Sequence, residues 1–187
     1  MVANPVRWTV QDLDLMPDNW GSKRYEIING ELLVTRAPHA QHQNAGGNLH
    51  FELTAWSRQT GLGKALEAPG VILTDEDAII PDVIWVSQER WENGLDDAGH
   101  FTVAPEIIVE VLSAGETNEL RDRKAKLKLY SLHGVAEYWI VNWRMQTVEV
   151  FRRQDAQLQQ VATLLQEDVL TSPILPGFEC AIAAIFQ

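Results

Sequence analysis

Two stretches of the chain are apolar almost throughout, one running through Val83-Ile84-Trp85-Val86 and the other through Ile107-Ile108-Val109 to Val111-Leu112. Such runs, rich in Ile and Val, are what strands covered on both faces need, and they predict central strands over residues 80–87 and 106–113. A third strand-like run covers residues 65–73, and residues 136–142, with Tyr138 and Trp139, read as a fourth. Residues 25–28 and 31–35 flank Asn29-Gly30, which predicts a hairpin because both turn residues tolerate positive φ.

Helical spacing appears in Ala45, Leu49, Ala55 and Trp56, with Phe51 and Leu53 beside them, and predicts one long helix over residues 41–60 with Gly61 as its stop. Gly46 and Gly47 weaken its first half. Thr9 and Asp12 look like the cap and acidic first turn of a short helix over residues 9–16, which Pro17 helps to close. Residues 119–132 read as a further helix ended by Gly134. Residues 147–152 and 158–165 suggest a hairpin, and 178–186 a docked terminal segment. Between the two central strands, residues 88–105 form a polar connection longer than a hairpin needs, either a flap over a site or a mobile excursion. The order of elements predicts an α/β fold with a mixed sheet, in a single domain over residues 1–187.

Charge narrows the function classes. The formal net charge is -11, which speaks against a broad basic surface for nucleic acid. No apolar run approaches the roughly 20 residues needed to span a bilayer. Residues 1–10 lack the pattern of a signal peptide, so a cytoplasmic location is the expectation. Cys180 is the only cysteine, which excludes an intrachain disulfide and a cysteine-based zinc cluster; its apolar surroundings suit a small buried residue.

Three residues stand out chemically. Glu110 interrupts the apolar run 107–112, where an unpartnered carboxylate would cost several kcal/mol, so something positive must face it. Asp82 follows Pro81 at the start of the neighbouring strand, where its side chain can be aimed into a cleft. Lys126 shares a helical face with Leu129 and Tyr130, so its amine approaches the sheet from the apolar side. Two carboxylates on adjacent strands repel unless a cation lies between them, and a hard ion such as Mg²⁺ takes a few carboxylate oxygens and keeps open positions for phosphate. A structural ion pair between Glu110 and Lys126 is the plainer alternative. Glu31, after the hairpin turn, and His42, near His39 at the start of the long helix, are weaker accessory candidates for holding metal or water. Tyr130, Tyr138 and Trp139 read as core aromatics with no chemistry. Arg121, Lys124 and Lys128 are expected together on an outer helical face, where they would guide a phosphate backbone or simply be solvated.

At these residues the chain resembles a known family. Pro81-Asp82 followed by Glu110-Val111-Leu112 is similar to the PD-(D/E)XK signature of restriction-endonuclease-like nucleases, with Leu112 where the motif has lysine. That departure matches the Uma-two family of endonucleases, in which the lysine comes from the next helix. The resemblance extends over Tyr25-Glu26-Ile27-Ile28-Asn29-Gly30-Glu31-Leu32, Asp122, Lys126-Leu127-Lys128-Leu129-Tyr130 and Gly134-Val135-Ala136-Glu137-Tyr138-Trp139. After Ser113 the family usually reads Pro-Ser-Thr, whereas this chain has Ala114-Gly115-Glu116-Thr117.

The resemblance implies a restriction-endonuclease-like mixed sheet flanked by helices, with N-terminal and C-terminal hairpin additions. It implies Asp82, Glu110 and the main-chain carbonyl of Val111 as ligands of Mg²⁺ or Mn²⁺, and Lys126 as the displaced motif lysine. The activity expected is metal-dependent hydrolysis of DNA phosphodiesters, and a homodimer would offer two sites to two strands. A catalytically inactive module on the same fold, or a hydrolase of another phosphate ester, are the competing readings.

Overall fold

A computed structural model describes residues 6–17, 23–113 and 115–187. Ala114, at the start of the departing loop, lies outside the described residues. The chain opens with a short helix α1 (Val10–Leu13), capped reciprocally by Thr9 and Asp12. The hairpin β1 (Lys23–Ile28) and β2 (Glu31–Arg36) follows, turning at Asn29 and Gly30, both at positive φ. Helix α2 (Ala40–Thr60) is unbroken, and Gly61 ends it in the left-handed conformation at φ 69°. Gly46 lies within it on the face toward the sheet. A Cβ there would stand 3.6 Å from Val111, so the bare backbone rests directly over the sheet.

The run expected as one strand over 65–73 is two. They are β3 (Gly63–Glu67) and β4 (Val71–Thr74), separated at Ala68, whose φ of 46° turns the chain out of the sheet. A short β5 (Asp77–Ile79) pairs with β4 and β1, so the N-terminal hairpin belongs to a four-stranded sheet in the order β2-β1-β5-β4. The start of the run expected over 80–87 is a bend, and β6 spans Val83–Ser87. The connection after it contains α3 (Gln88–Asn93), capped by Ser87 and held by Arg90 on Glu106 at 3.2 Å. Phe101 is buried and bridges Val71, so this segment is an ordered part of the core edge and not a flap over the site.

β7 (Ile107–Val111) is wholly buried. The helical region after it is not one α-helix. It consists of α4 (Glu116–Leu120), a π-helical stretch over Arg121–Lys126, and α5 (Leu127–Leu132). Then come β8 (Glu137–Asn142), β9 (Thr147–Gln154), β10 (Gln157–Leu164), β11 (Val169–Ser172), β12 (Leu175–Ala181) and α6 (Ile182–Ile185).

The central sheet is mixed, in the order β10-β9-β8-β7-β6-β3, with β7 and β8 parallel and the other neighbours antiparallel. The β9–β10 hairpin therefore extends the main sheet, and the separate C-terminal hairpin is β11–β12. Alternation along β7 divides the core. Ile107, Val109 and Val111 face α2 and α6, while Ile108 and Leu112 face α5 and the smaller sheet. Fully burying apolar side chains of this size stabilises by roughly 1.5–3 kcal/mol each, enough in sum to support a costly polar centre.

Candidate functional site

Glu110 shares its face of β7 with Ile108 and Leu112, so the pleat sends it into the apolar layer beneath α5. β6 and β7 pair with Val83 opposite Val109, and continuing that register sets Asp82 across from Glu110. The two acids thus sit side by side because one opens a strand that the other closes.

Lys126 reaches them from the end of the π-helical stretch. Its Nζ lies 2.9 Å from Glu110 Oε1 and 3.2 Å from Glu26 Oε1, and the three side chains are nearly inaccessible. Tyr130 donates to the same Glu110 Oε1 at 2.6 Å. Among the described residues both of these bonds end on that oxygen, and Glu110 lines the cleft. Glu26 also accepts from the Ile80 amide at 3.1 Å. Asp82 is held differently. Its Oδ2 accepts from the Val111 amide at 2.9 Å and lies 3.2 Å from His42 Nε2, and its Oδ1 lies 3.3 Å from Arg24.

These environments push the two acids apart. Burial drives the Glu110 carboxyl up to about 8, with the nearby Asp82, Asp122 and Glu26 charges adding to it and Lys126 opposing. Burial also acts upward on Asp82, but the hydrogen bond and charge of His42, the Val111 amide and the Lys126 charge outweigh it, so Asp82 titrates below its usual range. For Lys126, burial works against the charged form, and Glu110, Glu26 and Asp122 overcome it, so the ammonium is held firmly protonated. Tyr130 is raised by burial and by Glu110, which keeps it a donor.

The π-helical geometry explains a second departure. Its i to i+5 bonding places residues five apart on one side, so Arg121 turns inward with Lys126. Arg121 is half-buried on Asp122 at 3.4 Å and lines the cleft, while Lys124 and Lys128 stay exposed. The expected outer row of Arg121, Lys124 and Lys128 is therefore not formed.

The cleft has about 40 Å³ of space, enough for a few waters. Its charged lining balances: Arg24, Arg36, Arg121 and Lys126 stand against Glu26, Asp82, Glu110 and Asp122. Among the described residues, no three His, Cys, Asp or Glu side chains gather as a metal cluster. What the cleft offers instead is two carboxylates and the Val111 backbone, hard oxygen donors suited to an ion that keeps most of its waters, as Mg²⁺ does.

Of the candidates read from the sequence, Asp82, Glu110, Val111, Lys126 and His42 converge here. Glu31 does not; it is exposed at the start of β2 and lines a separate hollow with Lys128 and His133. The carboxylate that reaches Lys126 from the hairpin is Glu26, which sequence reasoning passed over. Its signal was the same as that of Glu110, an acid inside an apolar strand, Tyr25-Glu26-Ile27-Ile28. Tyr130 is likewise more than a packing aromatic, since its hydroxyl fixes Glu110.

The sequence profile of the Uma2 (Uma-two) family, described as "Putative restriction endonuclease", matches residues 10–183. The chain belongs to this family. Its fold is similar to that in the crystal structure of "a putative nuclease belonging to DUF820 from Anabaena variabilis ATCC 29413", with a TM-score of 0.76 and 18% identity. The likeness covers 95% of this chain and 97% of that one. No curated protein matches the chain. Uma2 membership supports a nuclease. No helix among the described residues is long and apolar enough to cross a membrane.

Proposed function

We propose that this Uma2 protein is a divalent-metal-dependent endonuclease that hydrolyses DNA phosphodiester bonds in the Asp82–Glu110 cleft. The observation that carries the reading is the Lys126 ammonium, buried 2.9 Å from Glu110 and 3.2 Å from Glu26 beside a strand-opening aspartate. A purely structural ion pair would need one acid. Here one ammonium is shared between two, with two further acids, Asp82 and Asp122, lining the same cleft.

Asp82, Glu110 and the Val111 carbonyl would hold Mg²⁺ or Mn²⁺. When bound, such an ion polarises the phosphate and lowers the pKa of a water. The chain's own groups supply the rest. Arg24, Arg36 and Arg121 bring positive charge to the cleft of an acidic protein, where a phosphodiester can meet it. Lys126 fixes Glu110 and offsets negative charge that builds on the phosphate oxygens when water attacks and the ester oxygen leaves. Tyr130 holds Glu110 in one rotamer, and His42 does the same for Asp82 through Nε2. A homodimer would set two such clefts against the two strands of a duplex.

One feature favours the alternative of an inactive nuclease-fold module: both Asp82 oxygens already have protein partners, so metal entry must displace Arg24. The test is cleavage of supercoiled plasmid with Mg²⁺ or Mn²⁺ by wild type, Asp82→Ala and Lys126→Ala. Nicking by wild type alone supports the endonuclease. Equal cleavage by all three assigns the activity to a contaminant, and no cleavage under either metal supports the inactive module.

A further inference from the structure

Three hollows run one into the next from the carboxylates across the start of α2. The catalytic cleft shares Thr35, Arg36, Pro38, His42 and Ser113 with a second hollow of about 310 Å³. Trp143 is shared in turn between that hollow and a third of about 760 Å³, which reaches Arg144. Both volumes fall in the range of small-molecule sites, roughly 300–1,000 Å³, and neither admits a duplex.

The charge of these two hollows is unlike that of the rest of the chain. The sequence has 26 Asp and Glu against 15 Lys and Arg, yet among the described residues no acidic side chain lines either of them. Their cations are Arg36 and Arg144. Arg144 is paired with Glu119, whereas Arg36 is exposed and forms no ion pair among the described residues. Arg36 also stands at the junction with the catalytic cleft.

An aromatic plate lines the same hollow. The rings of His39 and Trp143 stack with centroids 4.9 Å apart and planes 8° from parallel. His39 is exposed, and its Nδ1 accepts from the Gln41 amide as the cap of α2, which fixes the ring. Trp143 is half-buried and donates to the Leu112 carbonyl at 3.0 Å, which ties the plate to the residue after Val111. A further observation points to a ligand. His42 is 4% exposed and lines both the cleft and the second hollow; its Nε2 is taken by Asp82, and its Nδ1 is buried with no partner among the described residues. A buried nitrogen of this kind calls for a hydrogen-bonding partner, which a molecule entering the hollow would supply.

A stacked ring pair, an exposed guanidinium and a lining without acidic side chains are what an unpaired nucleotide needs, its base on the aromatic face and its phosphate on arginine. We propose that His39, Trp143 and Arg36 form a subsite for a nucleotide next to the scissile phosphate on a single strand, with the base stacked on the His39–Trp143 plate. The adjacency to a scissile phosphate rests on the nuclease reading, whereas strand binding by the plate does not. A single strand is required because only an unpaired base exposes its ring face to the plate.

Fluorescence anisotropy tests this with a labelled single-stranded DNA hexanucleotide in EDTA, using the full chain as wild type, His39→Asn and Arg36→Ala. Asparagine keeps an acceptor for capping α2 and removes only the ring. Wild type is expected to bind, and each variant to bind at least about 5-fold more weakly, the low end of the effect of losing one base–aromatic stack. An abasic position scanned along the hexamer weakens wild type by a similar factor at one place and leaves His39→Asn unaffected there. Absence of binding by wild type, equal binding by both variants, tighter binding of the matching duplex, or undiminished sensitivity of His39→Asn to the abasic position would overturn the subsite. Adding Mn²⁺ separates the two readings. Cleavage by wild type with unaltered strand binding in His39→Asn removes the subsite alone, whereas ring-dependent binding without cleavage removes the nuclease and leaves the subsite.

Discussion

Replacing Lys126 by methionine removes the ammonium between Glu110 and Glu26 while keeping an unbranched side chain of similar length in the same space. Both carboxylates are then left with no cation at hydrogen-bond distance, at 4% and 3% exposure. Breaking a buried pair by removing one partner costs about 3–5 kcal/mol. That cost depends on pH in a defined direction. The Glu110 carboxyl already sits near about 8 because of burial, against an ordinary 4.5, even with Lys126 lowering it. Without the ammonium it rises further, so the folded state holds a proton that the unfolded chain has released. Wild type itself loses stability between pH 4.5 and about 8, so the extra loss of the variant through Glu110 opens above about pH 8, at up to about 1.4 kcal/mol per pH unit. Urea unfolding of wild type and Lys126→Met in EDTA at pH 5.5, 7.5 and 9.5 measures this. The penalty should be larger at pH 9.5 than at pH 7.5 and reach about 3 kcal/mol or more there. A penalty under about 1 kcal/mol at pH 9.5, or one no larger than at pH 7.5, would refute the shared-ammonium arrangement.

The same linkage gives Glu110→Gln the opposite sign: the wild-type carboxyl loses stability between pH 4.5 and about 8, so thermal melts should show the variant gaining on wild type across that window while cleavage is lost. A variant that loses ground to wild type as pH rises would contradict the raised carboxyl. Two glycines should respond in opposite ways to alanine. Gly46→Ala finds only an ordinary contact at 3.6 Å within a helix and should stabilise by about 0.5–1 kcal/mol in urea unfolding, whereas Gly63→Ala would set a Cβ 2.2 Å from the Val86 carbonyl and should destabilise. Cys180 is buried and its thiol is pushed up to about 12 by burial, so at pH 8 a thiol reagent should label it only after denaturant is added.

The parts of the fold legible in the sequence were those where local chemistry and tertiary burial agree. Asn29-Gly30 specified the hairpin, and the Ile- and Val-rich runs specified β6 and β7. The break at Ala68 was not legible, because the left-handed turn of an alanine is imposed by two sheets pulling on one chain. Nor was the π-helical stretch, since spacing alone cannot tell a 3.6-residue turn from a wider one; that single change carries Arg121 from the expected outer row into the cleft. The site shows the same division. Glu110 was conspicuous as an acid in an apolar run, but so is Glu137, which is buried on Ser172, Trp139 and Arg152 and lies away from the cleft. What separates the two is the partner: a lysine shared with Glu26 in one case, a closed set of structural hydrogen bonds in the other. That distinction lies in three dimensions, which is why Glu26 escaped notice and Glu31 drew it.

The central claim, that Asp82 and Glu110 share a divalent cation beside Lys126, is tested most directly by calorimetric titration of Mn²⁺ into the purified chain and into Asp82→Asn. One ion per chain should bind to wild type and be lost in the variant, with tighter uptake at pH 8.5 than at pH 6.5 because the Glu110 carboxyl must release its proton. Equal binding by both proteins, or none by wild type at either pH, would contradict it.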